Sequence, residues 1–359
     1  MVNKDRWAII GGGNGGQALA AFFSIKGKKI RLYDVFDKTV ELINKAGGVE
    51  LEGDIEGFGE IEFATTDMQK AISSAKVIWV ILPSIYHKSI AATMAPYLED
   101  GQIIILSPVA ALGTMEFENS LKENGCSANV VLSGTCTLLF ACRMQMPGKV
   151  TVNGKKKWLT IAAYPASYNN EVQREIGEYV PEFEFVDNII KVFLDNKNYA
   201  VHPGPTLLYA GMIENGVDFE YYINMGKTQV KLVESIDRES IKIAKAYGIN
   251  DSLEITEFFK KTYGYEGDSF YELLTTADCY KGISGPKTLS VRYLQEDIPY
   301  ALKGIQALGK AAGIDTPAID AVITLAYTLK GDELDNGRSL ENLGLAGIDR
   351  NELLERCRG

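Results

Sequence analysis

The stretch Trp7–Gly16 reads WAIIGGGNGG and decides the first half of the fold. Its apolar start predicts a short buried strand, and the glycines that follow open an apolar helix. The pattern G-x-G-x-x-G falls on Gly11, Gly13 and Gly16, between strand and helix, which is the context that gives this pattern meaning. Gly11 permits a tight turn, Gly13 lets a ligand approach the backbone, and Gly16 lets the helix pack closely on the strand.

This loop has the features of a dinucleotide phosphate site. Backbone amides at the start of the helix, at Asn14 and Gly15, would face the phosphates, because a helix N-terminus favours negative charge. Asp34 ends the second predicted strand, where a carboxylate can bind both ribose hydroxyls. It would repel a 2′-phosphate, and the next two residues supply no arginine, so NAD (as NADH) is favoured over NADP. A flavin, another nucleotide or a decayed site are the remaining interpretations.

Strands alternate with helices through the first half of the chain. Near-continuous apolar runs predict strands buried on both faces of a parallel sheet, at residues 77–82 and 103–106, with a crossover helix over 86–98. Further strand patterns occupy residues 29–33, 129–132, 149–152 and 158–161. Pro83 follows the first run, and it either lines a cofactor cleft or only ends the strand.

From about residue 188 the apolar pattern is helical instead. Segments with a 3.6-residue period cover residues 228–247, 252–263, 301–312 and 316–329. The last begins with Thr316 as a plausible N-cap and Pro317 at the first helical position. We predict an α/β protein with an N-terminal Rossmann-type doubly wound sheet in residues 1–187, followed by an all-α substrate domain in residues 188–359.

Composition restricts the partners of this 359-residue chain. Its net charge of -10 disfavours binding to nucleic acid or to an anionic membrane. No run approaches the roughly 20 apolar residues of a membrane helix, and the N-terminus lacks the pattern of a signal peptide. The five cysteines contain no C-x-x-C pair, which indicates reduced thiols in a cytoplasmic protein without a metal site. A homodimer through the helical domain is plausible.

Only two histidines occur, His87 and His202. Hydride transfer to or from a carbon bearing oxygen or nitrogen needs a proton donor and acceptor near neutral pH, and histidine is the usual one. His87 begins the crossover helix, where capping or packing is the better interpretation. His202 precedes Pro203 and Pro205, so we expect it on a rigid, non-helical turn. These residues leave open whether His202 is catalytic or structural.

Arg292 and Asp297 are two further candidates. Arginine can hold a substrate carboxylate through two parallel hydrogen bonds. An aspartate behind a histidine fixes its tautomer and raises its basicity. The structural alternatives are that Asp297 caps the next helix and that Arg292 forms a surface ion pair.

The chain resembles the opine dehydrogenase family, which includes the octopine and nopaline dehydrogenases, along nearly its whole length. The resemblance rests on four patterns: the Gly11–Gly16 loop, Thr137–Arg143 (TLLFACR), His-Pro-x-Pro-Thr at His202–Thr206, and Arg-x4-Asp from Arg292 to Asp297. It is strongest to bacterial enzymes that make N-(1-carboxyethyl) amino acids. The last two patterns together are specific, whereas a glycine loop by itself is not.

The resemblance implies an NADH-dependent reaction that joins an L-amino acid to a 2-keto acid, with pyruvate the first candidate, through an imine. It implies that His202 is the general acid and base and that Asp297 is its partner. It also implies that Arg292 contacts a substrate carboxylate, while Thr137 and Cys142 line the substrate pocket.

The chain departs from the family at one place. Residues 109–113 read VAALG, where the family is glycine-rich, so the resemblance does not identify the amino acid or the keto acid. A 2-hydroxy acid, ketopantoate-type or glycerol-3-phosphate-type dehydrogenase is one alternative. A protein that binds NAD and a partner without turnover is another.

Overall fold

The chain divides into two structural units. This computed structural model describes residues 2–359, apart from the side chain of Cys279. The first unit comprises the residues up to Val109, Thr114–Ile189 and Arg358–Gly359, and the second comprises Ala110–Gly113 and Ile190–Cys357. Within the described residues, regular structure in the second unit is helical apart from a bridge between Glu220 and Ser284. The predicted fold class, a Rossmann-type sheet followed by helices, is confirmed.

Two sheets form the first unit. The strands are β1 (Asn3–Ile10), β2 (Lys29–Tyr33), β3 (Gly48–Gly53), β4 (Gly57–Glu60), β5 (Phe63–Thr65), β6 (Ala75–Val80), β7 (Ile103–Leu106), β8 (Val131–Thr135), β9 (Phe140–Met146), β10 (Lys149–Lys155), β11 (Leu159–Tyr164) and β12 (Phe183–Phe185). The main sheet has the order β12-β11-β8-β7-β6-β1-β2-β5, and the smaller sheet has the order β4-β3-β10-β9. Neighbours in the main sheet are parallel except β8 and β11.

Helices cover the sheets and build the second unit. In the first part of the chain they are α1 (Asn14–Ile25), α2 (Asp37–Ala46), α3 (Met68–Ile72), α4 (His87–Met94), α5 (Gly113–Glu123) and α6 (Asn169–Ile176). They continue as α7 (Ile189–Asp195), α8 (Asn198–Val201), α9 (Pro203–Leu208), α10 (Ala210–Glu214), α11 (Lys227–Ala246), α12 (Ile255–Tyr263), α13 (Phe270–Thr276), α14 (Arg292–Gln295), α15 (Lys303–Ala311), α16 (Pro317–Lys330) and α17 (Arg350–Arg358). A π-helix at Ile298–Leu302 precedes α15.

The strand predictions need two corrections. The run over 77–82 forms β6, but the strand ends at Val80, so Leu82 and Pro83 already belong to the turn that follows. Residues 149–152 do form a strand, β10, yet it lies in the smaller sheet rather than the main one. Strands β3 and β4 of the smaller sheet were not predicted, because their segments GVELEG and GFGE contain few apolar residues and no clear alternation.

Aromatic side chains fill the core beneath α1. Trp7 of β1 and Trp79 of β6 are fully buried, and Phe23 of α1 lies between them at ring distances of 4.8 and 5.3 Å. Burying rings of this size stabilises the contact of helix and sheet. Because β1, β2, β6, β7 and β8 are parallel, the loops after their carboxyl ends share one edge of the sheet, which is where doubly wound folds bind ligands.

The start of α16 is capped in an unexpected way. The helix begins at Pro317 as predicted, but the Thr316 side chain makes no capping hydrogen bond. Instead the buried carboxylate of Glu239 in α11 accepts from the amides of Ala318 at 2.7 Å and Ile319 at 3.0 Å. A carboxylate accepts hydrogen bonds from the unpaired amides of the first helical turn and interacts favourably with the helix dipole. Glu239 therefore links α11 to α16, a contact between helices that local sequence patterns do not predict.

Among the described residues, no helix is both long and apolar enough to cross a membrane.

Candidate active site

The first turn of the glycine loop requires a residue without a side chain. Gly11 follows β1 with φ of 112°, and a Cβ atom there would lie 2.5 Å from the carbonyl oxygen of Ile81. Its amide donates to the carbonyl oxygen of Tyr33 at 2.8 Å, which ties the loop to the end of β2. Glycine adopts this backbone conformation without strain, whereas any other residue would not.

Gly13 and Gly16 serve different purposes in the loop. A Cβ at Gly16 would lie 1.7 Å from the carbonyl oxygen of Gly11, so glycine here lets α1 pack against the strand. Gly13 is exposed, and a Cβ there would meet no atom within 4 Å. The packing of the protein therefore does not require glycine at position 13. The open approach to its backbone fits a bound pyrophosphate.

Asp34 is held beside the loop by two backbone amides. Its Oδ2 accepts from Gly12 at 2.6 Å and its Oδ1 from Phe36 at 2.9 Å. A carboxylate oxygen has a second lone pair, so each oxygen can still accept from a ribose hydroxyl. Amides at the start of α1 for the phosphates and a positioned carboxylate for the ribose together fit NAD.

Two amide side chains brace the loop from below. The Asn14 side chain accepts from the amide of Met144 in β9 at 3.1 Å. The side chain is thus engaged with the protein, and the Asn14 backbone amide is the group that can contact a phosphate. Gln17 is fully buried, donates to the carbonyl oxygen of Gly12 at 2.5 Å and accepts from Gly148 at 2.8 Å. Sequence reasoning missed Gln17, because its partner is 131 residues away, in the turn between β9 and β10.

Pro83 and His87 lie in the turn after β6. Pro83 precedes a single 3-10 turn at Ser84–Tyr86, and α4 begins at His87. His87 is fully buried, and its Nε2 hydrogen-bonds to the carbonyl oxygen of Leu82 at 3.1 Å. The interpretation of His87 as a packing residue agrees with this position, and its hydrogen bond stabilises the turn that contains Pro83.

Thr137 and Cys142 both belong to the first unit. Thr137 follows β8, and its hydroxyl accepts from Lys156 Nζ at 3.0 Å. Cys142 lies in β9 opposite Val152, where burial raises the pKa of its thiol to about 11. The thiol is therefore protonated at neutral pH, which suits a pocket wall better than a nucleophile.

His202 lies at the junction of α8 and α9. Its φ of -100° and ψ of -61° stay in the right-handed helical region, so the predicted turn is a bend between helices rather than a non-helical segment. The Thr206 hydroxyl donates to the carbonyl oxygen of His202 at 2.7 Å, and the Tyr221 hydroxyl lies 2.7 Å from the same oxygen. Pro203 and Pro205 have no N–H to offer, so these hydroxyls help to secure the bend.

The imidazole of His202 has a partner on each nitrogen. Its Nδ1 lies 2.7 Å from Asp297 Oδ2, and its Nε2 lies 3.0 Å from the Tyr222 hydroxyl. A carboxylate only accepts, so Nδ1 carries the hydrogen and Nε2 of the neutral ring accepts from the phenol. Tyr293 stacks on the ring at a centroid distance of 4.1 Å and an angle of 17°. The ring orientation is therefore defined on two edges and one face.

Asp297 does not act as a helix cap. Its side chain makes no capping hydrogen bond to the π-helix that follows, although its carbonyl oxygen accepts from Leu302 at 2.8 Å. The wider π turn and the missing N–H of Pro299 leave the Asp297 carboxylate directed at His202. Single π turns are frequent at functional sites, where they redirect one side chain.

Arg292 forms an ion pair, which is the structural alternative to a substrate contact. It begins α14, its side chain is 61% exposed, and its Nε lies 3.2 Å from Glu296 Oε2. The guanidinium lies at the surface, whereas the Glu296 side chain is only 11% exposed, so the ion pair is half-exposed. The structure thus brings His202 and Asp297 together within the second unit, and it pairs Arg292 with Glu296 instead of either of them.

Two tyrosines of the His202 site escaped the sequence analysis. Tyr222 is buried, and this burial raises its pKa well above the usual value, so the phenol keeps its proton. Tyr293 lies directly after Arg292 inside the motif itself, yet a tyrosine in a helical segment is more often a packing residue. Among the described residues, no group of three or more His, Cys, Asp or Glu could hold a metal ion.

Known protein families match the two parts of the chain separately. Residues 6–135 match the NAD-dependent glycerol-3-phosphate dehydrogenase N-terminus. Residues 185–330 match the alpha-helical domain of NAD/NADP octopine/nopaline dehydrogenase.

Individual proteins match nearly the full length. The opine dehydrogenase of Arthrobacter sp. (strain 1C) is 37% identical over 351 residues, which are 97% of this chain and 97% of that protein. A solved octopine dehydrogenase with NADH and pyruvate superposes with a TM-score of 0.78 at 21% identity, covering 98% of both chains. A ketopantoate reductase from Ralstonia eutropha JMP134 reaches a TM-score of 0.60 at 18% identity, covering 91% of this chain and 99% of that one.

The fold and the glycine loop define an NAD-dependent oxidoreductase of the Rossmann type. With 37% identity to an opine dehydrogenase across 97% of its length, the chain belongs to the opine dehydrogenase family. The predicted cofactor NAD and the predicted function, NAD-dependent reductive condensation by an opine dehydrogenase, are confirmed. The hydroxy-acid, ketopantoate-type and glycerol-3-phosphate-type dehydrogenases, and the non-catalytic sensor, are not favoured.

Proposed function

We propose that this enzyme joins the amino group of an L-amino acid to the carbonyl carbon of pyruvate. The two substrates lose one water to form an imine, and the C=N bond then gains a hydride and a proton to give a secondary amine with two carboxylates. Bound NADH supplies the hydride. Residues 1–187 would bind the cofactor and residues 188–359 would supply the substrate-binding and proton-transfer groups.

The observation that carries this proposal is the His202–Asp297 hydrogen bond of 2.7 Å between two buried side chains. Asp297 would hold the imidazole in the Nδ1–H tautomer, which leaves Nε2 as the nitrogen that takes and returns a proton. The Tyr222 hydroxyl, which lies 3.0 Å from Nε2, would help to hold the ring in this orientation. Burial of these groups would also keep water from the imine.

Arg292 would hold a substrate carboxylate. Its guanidinium is 61% exposed and is therefore accessible to a substrate carboxylate. The guanidinium can then bind the carboxylate through two parallel hydrogen bonds. Thr137 and Cys142 would line the pocket for the keto acid, with the protonated Cys142 thiol as an uncharged wall.

On the cofactor side, Gly11, Gly13, Asn14, Gly15 and Gly16 would hold the pyrophosphate through their backbone. Asp34 would bind the adenosine ribose, and Pro83 would line the cofactor site beside the turn that His87 secures. The open space above Gly13 and the two amides that hold Asp34 support these assignments.

We also propose a cytoplasmic enzyme that forms a homodimer. The four cysteines with described side chains are free thiols, which supports a reducing compartment. Leu325 and Leu329, one turn apart on α16, are 42% and 51% exposed and offer apolar surface to a second copy. Sedimentation of the purified enzyme would measure the mass in solution.

The direct test measures NADH oxidation by absorbance with pyruvate, with and without a pool of L-amino acids, and identifies the product by mass spectrometry. Oxidation that depends on the amine, with a secondary-amine dicarboxylate as product, is the expected result. Oxidation with pyruvate as the only substrate would instead point to a hydroxy-acid dehydrogenase and overturn the proposal.

A further inference from the structure

A buried lysine, Lys156, lies at the carboxyl edge of the main sheet. The residue Lys156 is 7% exposed, and its Nζ donates to Thr137 Oγ1 at 3.0 Å and to the carbonyl oxygen of Leu138 at 2.8 Å. An ammonium is costly to bury, so its retention here is unusual for a residue type that is mostly exposed.

The loop that holds Lys156 is itself well braced. The Thr135 hydroxyl lies 2.7 Å from Ser107 Oγ and donates to the carbonyl oxygen of Thr137 at 3.0 Å. Ser107 follows β7 and Thr135 ends β8, so this bracing joins the carboxyl ends of two parallel strands. The ammonium of Lys156 is therefore held against the edge where a doubly wound sheet binds its ligands.

The strand order assigns this loop to one end of the cofactor. Asp34 follows β2, on one side of β1, whereas β6, β7 and β8 lie on the other side. A dinucleotide with its pyrophosphate at the loop after β1 and its adenosine at Asp34 would have its other half on the side of β6–β8. Leu138 also lies beside this loop, because a Cβ at Gly15 would be 3.2 Å from its side chain. The nicotinamide would thus lie on the same side of β1 as Lys156.

The reaction needs more than one anchor for negative charge. The keto acid and the amino acid each bring a carboxylate, and the product keeps both, while Arg292 accounts for one of them. We propose that Lys156, together with the Thr137 hydroxyl, forms a second carboxylate-binding site, and that its occupant is the keto acid. An ammonium donates charge-assisted hydrogen bonds to a carboxylate, and they are strong where water is excluded. This inference rests on the proposed function and names a substrate contact for it.

The test replaces Lys156 with Gln, which keeps hydrogen-bond donors but removes the charge, and with Met, which removes both. Pyruvate binding to the enzyme–NADH complex is measured by calorimetry without any amine. The KM of the best L-amino acid and the Kd of NADH are measured alongside. We expect pyruvate to bind roughly 10- to 100-fold more weakly in K156Q, with the NADH Kd unchanged.

Lys155→Gln is the matched control. Lys155 is the neighbouring lysine at the end of β10, where it pairs with Glu182 and lies over the Phe22 ring at 5.3 Å. Removing its charge leaves pyruvate affinity unchanged if the effect is specific to Lys156. If Lys156→Met fails to fold, Lys156→Gln still carries the test, because its amide can keep the bonds to Thr137 and Leu138.

The outcomes separate the possible occupants. Weaker pyruvate binding supports the keto acid as the occupant of the site. A raised KM for the amino acid with normal pyruvate binding overturns that assignment and gives the site to the amino acid carboxylate. Normal binding of both substrates, or a weaker NADH affinity in K156Q, overturns the proposal. A wild-type enzyme that binds pyruvate but shows no amine-dependent turnover defeats the proposed function separately, because the binding measurement needs no turnover.

Discussion

The cofactor loop and the His202 site are built in opposite ways. Gly12 and Asp34, which hold the loop together, are 22 residues apart, whereas His202 and Asp297 are 95 residues apart. The loop works through backbone amides and through missing Cβ atoms at Gly11 and Gly16. The His202 site works through side chains whose hydrogen bonds join segments that are distant in the chain.

This difference explains which part of the molecule a sequence reveals. A backbone site is specified by the few residues that allow its conformation, and these must be adjacent in the chain. A side-chain network needs only that its members meet in space. The substitutions below test whether cofactor binding and proton transfer are separable in the way this contrast implies.

The largest effect should follow His202→Ala. The substitution removes the proposed proton donor and acceptor, so kcat should fall by roughly 100-fold or more, the usual contribution of general acid–base catalysis. NADH affinity should stay near the wild-type value, because His202 lies in the second unit and the glycine loop in the first. Steady-state kinetics and a fluorescence titration with NADH measure the two quantities. Unchanged turnover would remove His202 from the mechanism.

The two glycines of the loop should respond in opposite ways. A Cβ at Gly13 clashes with nothing in the protein, so Gly13→Val should keep its melting temperature but bind NADH on the order of 10- to 100-fold more weakly. A Cβ at Gly16 would overlap the carbonyl oxygen of Gly11, so Gly16→Ala should lose about 1–3 kcal/mol of unfolding free energy. Equal losses of stability in both variants would contradict this division.

Asp34→Asn should alter the choice of cofactor more than the affinity for it. Asparagine can still accept from the Gly12 amide, but its loss of charge weakens the ribose contact and removes repulsion toward a 2′-phosphate. We expect the preference for NADH over NADPH to narrow by roughly 10-fold, as for a loss of about 1.4 kcal/mol. Titrations with NADH and NADPH measure the ratio of the two dissociation constants. A ratio equal to that of the wild type would exclude Asp34 from ribose recognition.

The smallest effect should come from Tyr222→Phe. Losing one hydrogen bond to His202 Nε2 should lower kcat by roughly 2- to 10-fold, in line with about 0.5–1.5 kcal/mol for such a bond. Because burial raises the pKa of Tyr222 well above its usual value, the phenol stays protonated at neutral pH. The pH profile of the variant should therefore keep the number of ionisations seen in the wild type. A missing ionisation would show that Tyr222 itself titrates.

Sequence reasoning reached the residues that carry a motif and missed those that support them. It identified Gly11, Gly16 and Asp34, whose positions follow from a strand–loop–helix unit. It did not identify Gln17 or Tyr222, because each acts on a partner that the fold supplies. The cap of α16 shows the same limit, since Glu239 replaces the expected Thr316.

The sequence by itself determined the Rossmann-type sheet, the helical second part and the preference for NAD. Each of these depends on the local periodicity of apolar residues or on a short motif, the glycine loop with its following carboxylate, whose residues lie close together in the chain. The pairing of His202 with Asp297 was implied by family resemblance, but the tertiary structure decided its geometry. Only that structure placed Tyr222 and Tyr293 around the imidazole and Lys156 beside Thr137. Such contacts are set by helix packing and long-range hydrogen bonds, which no local pattern encodes.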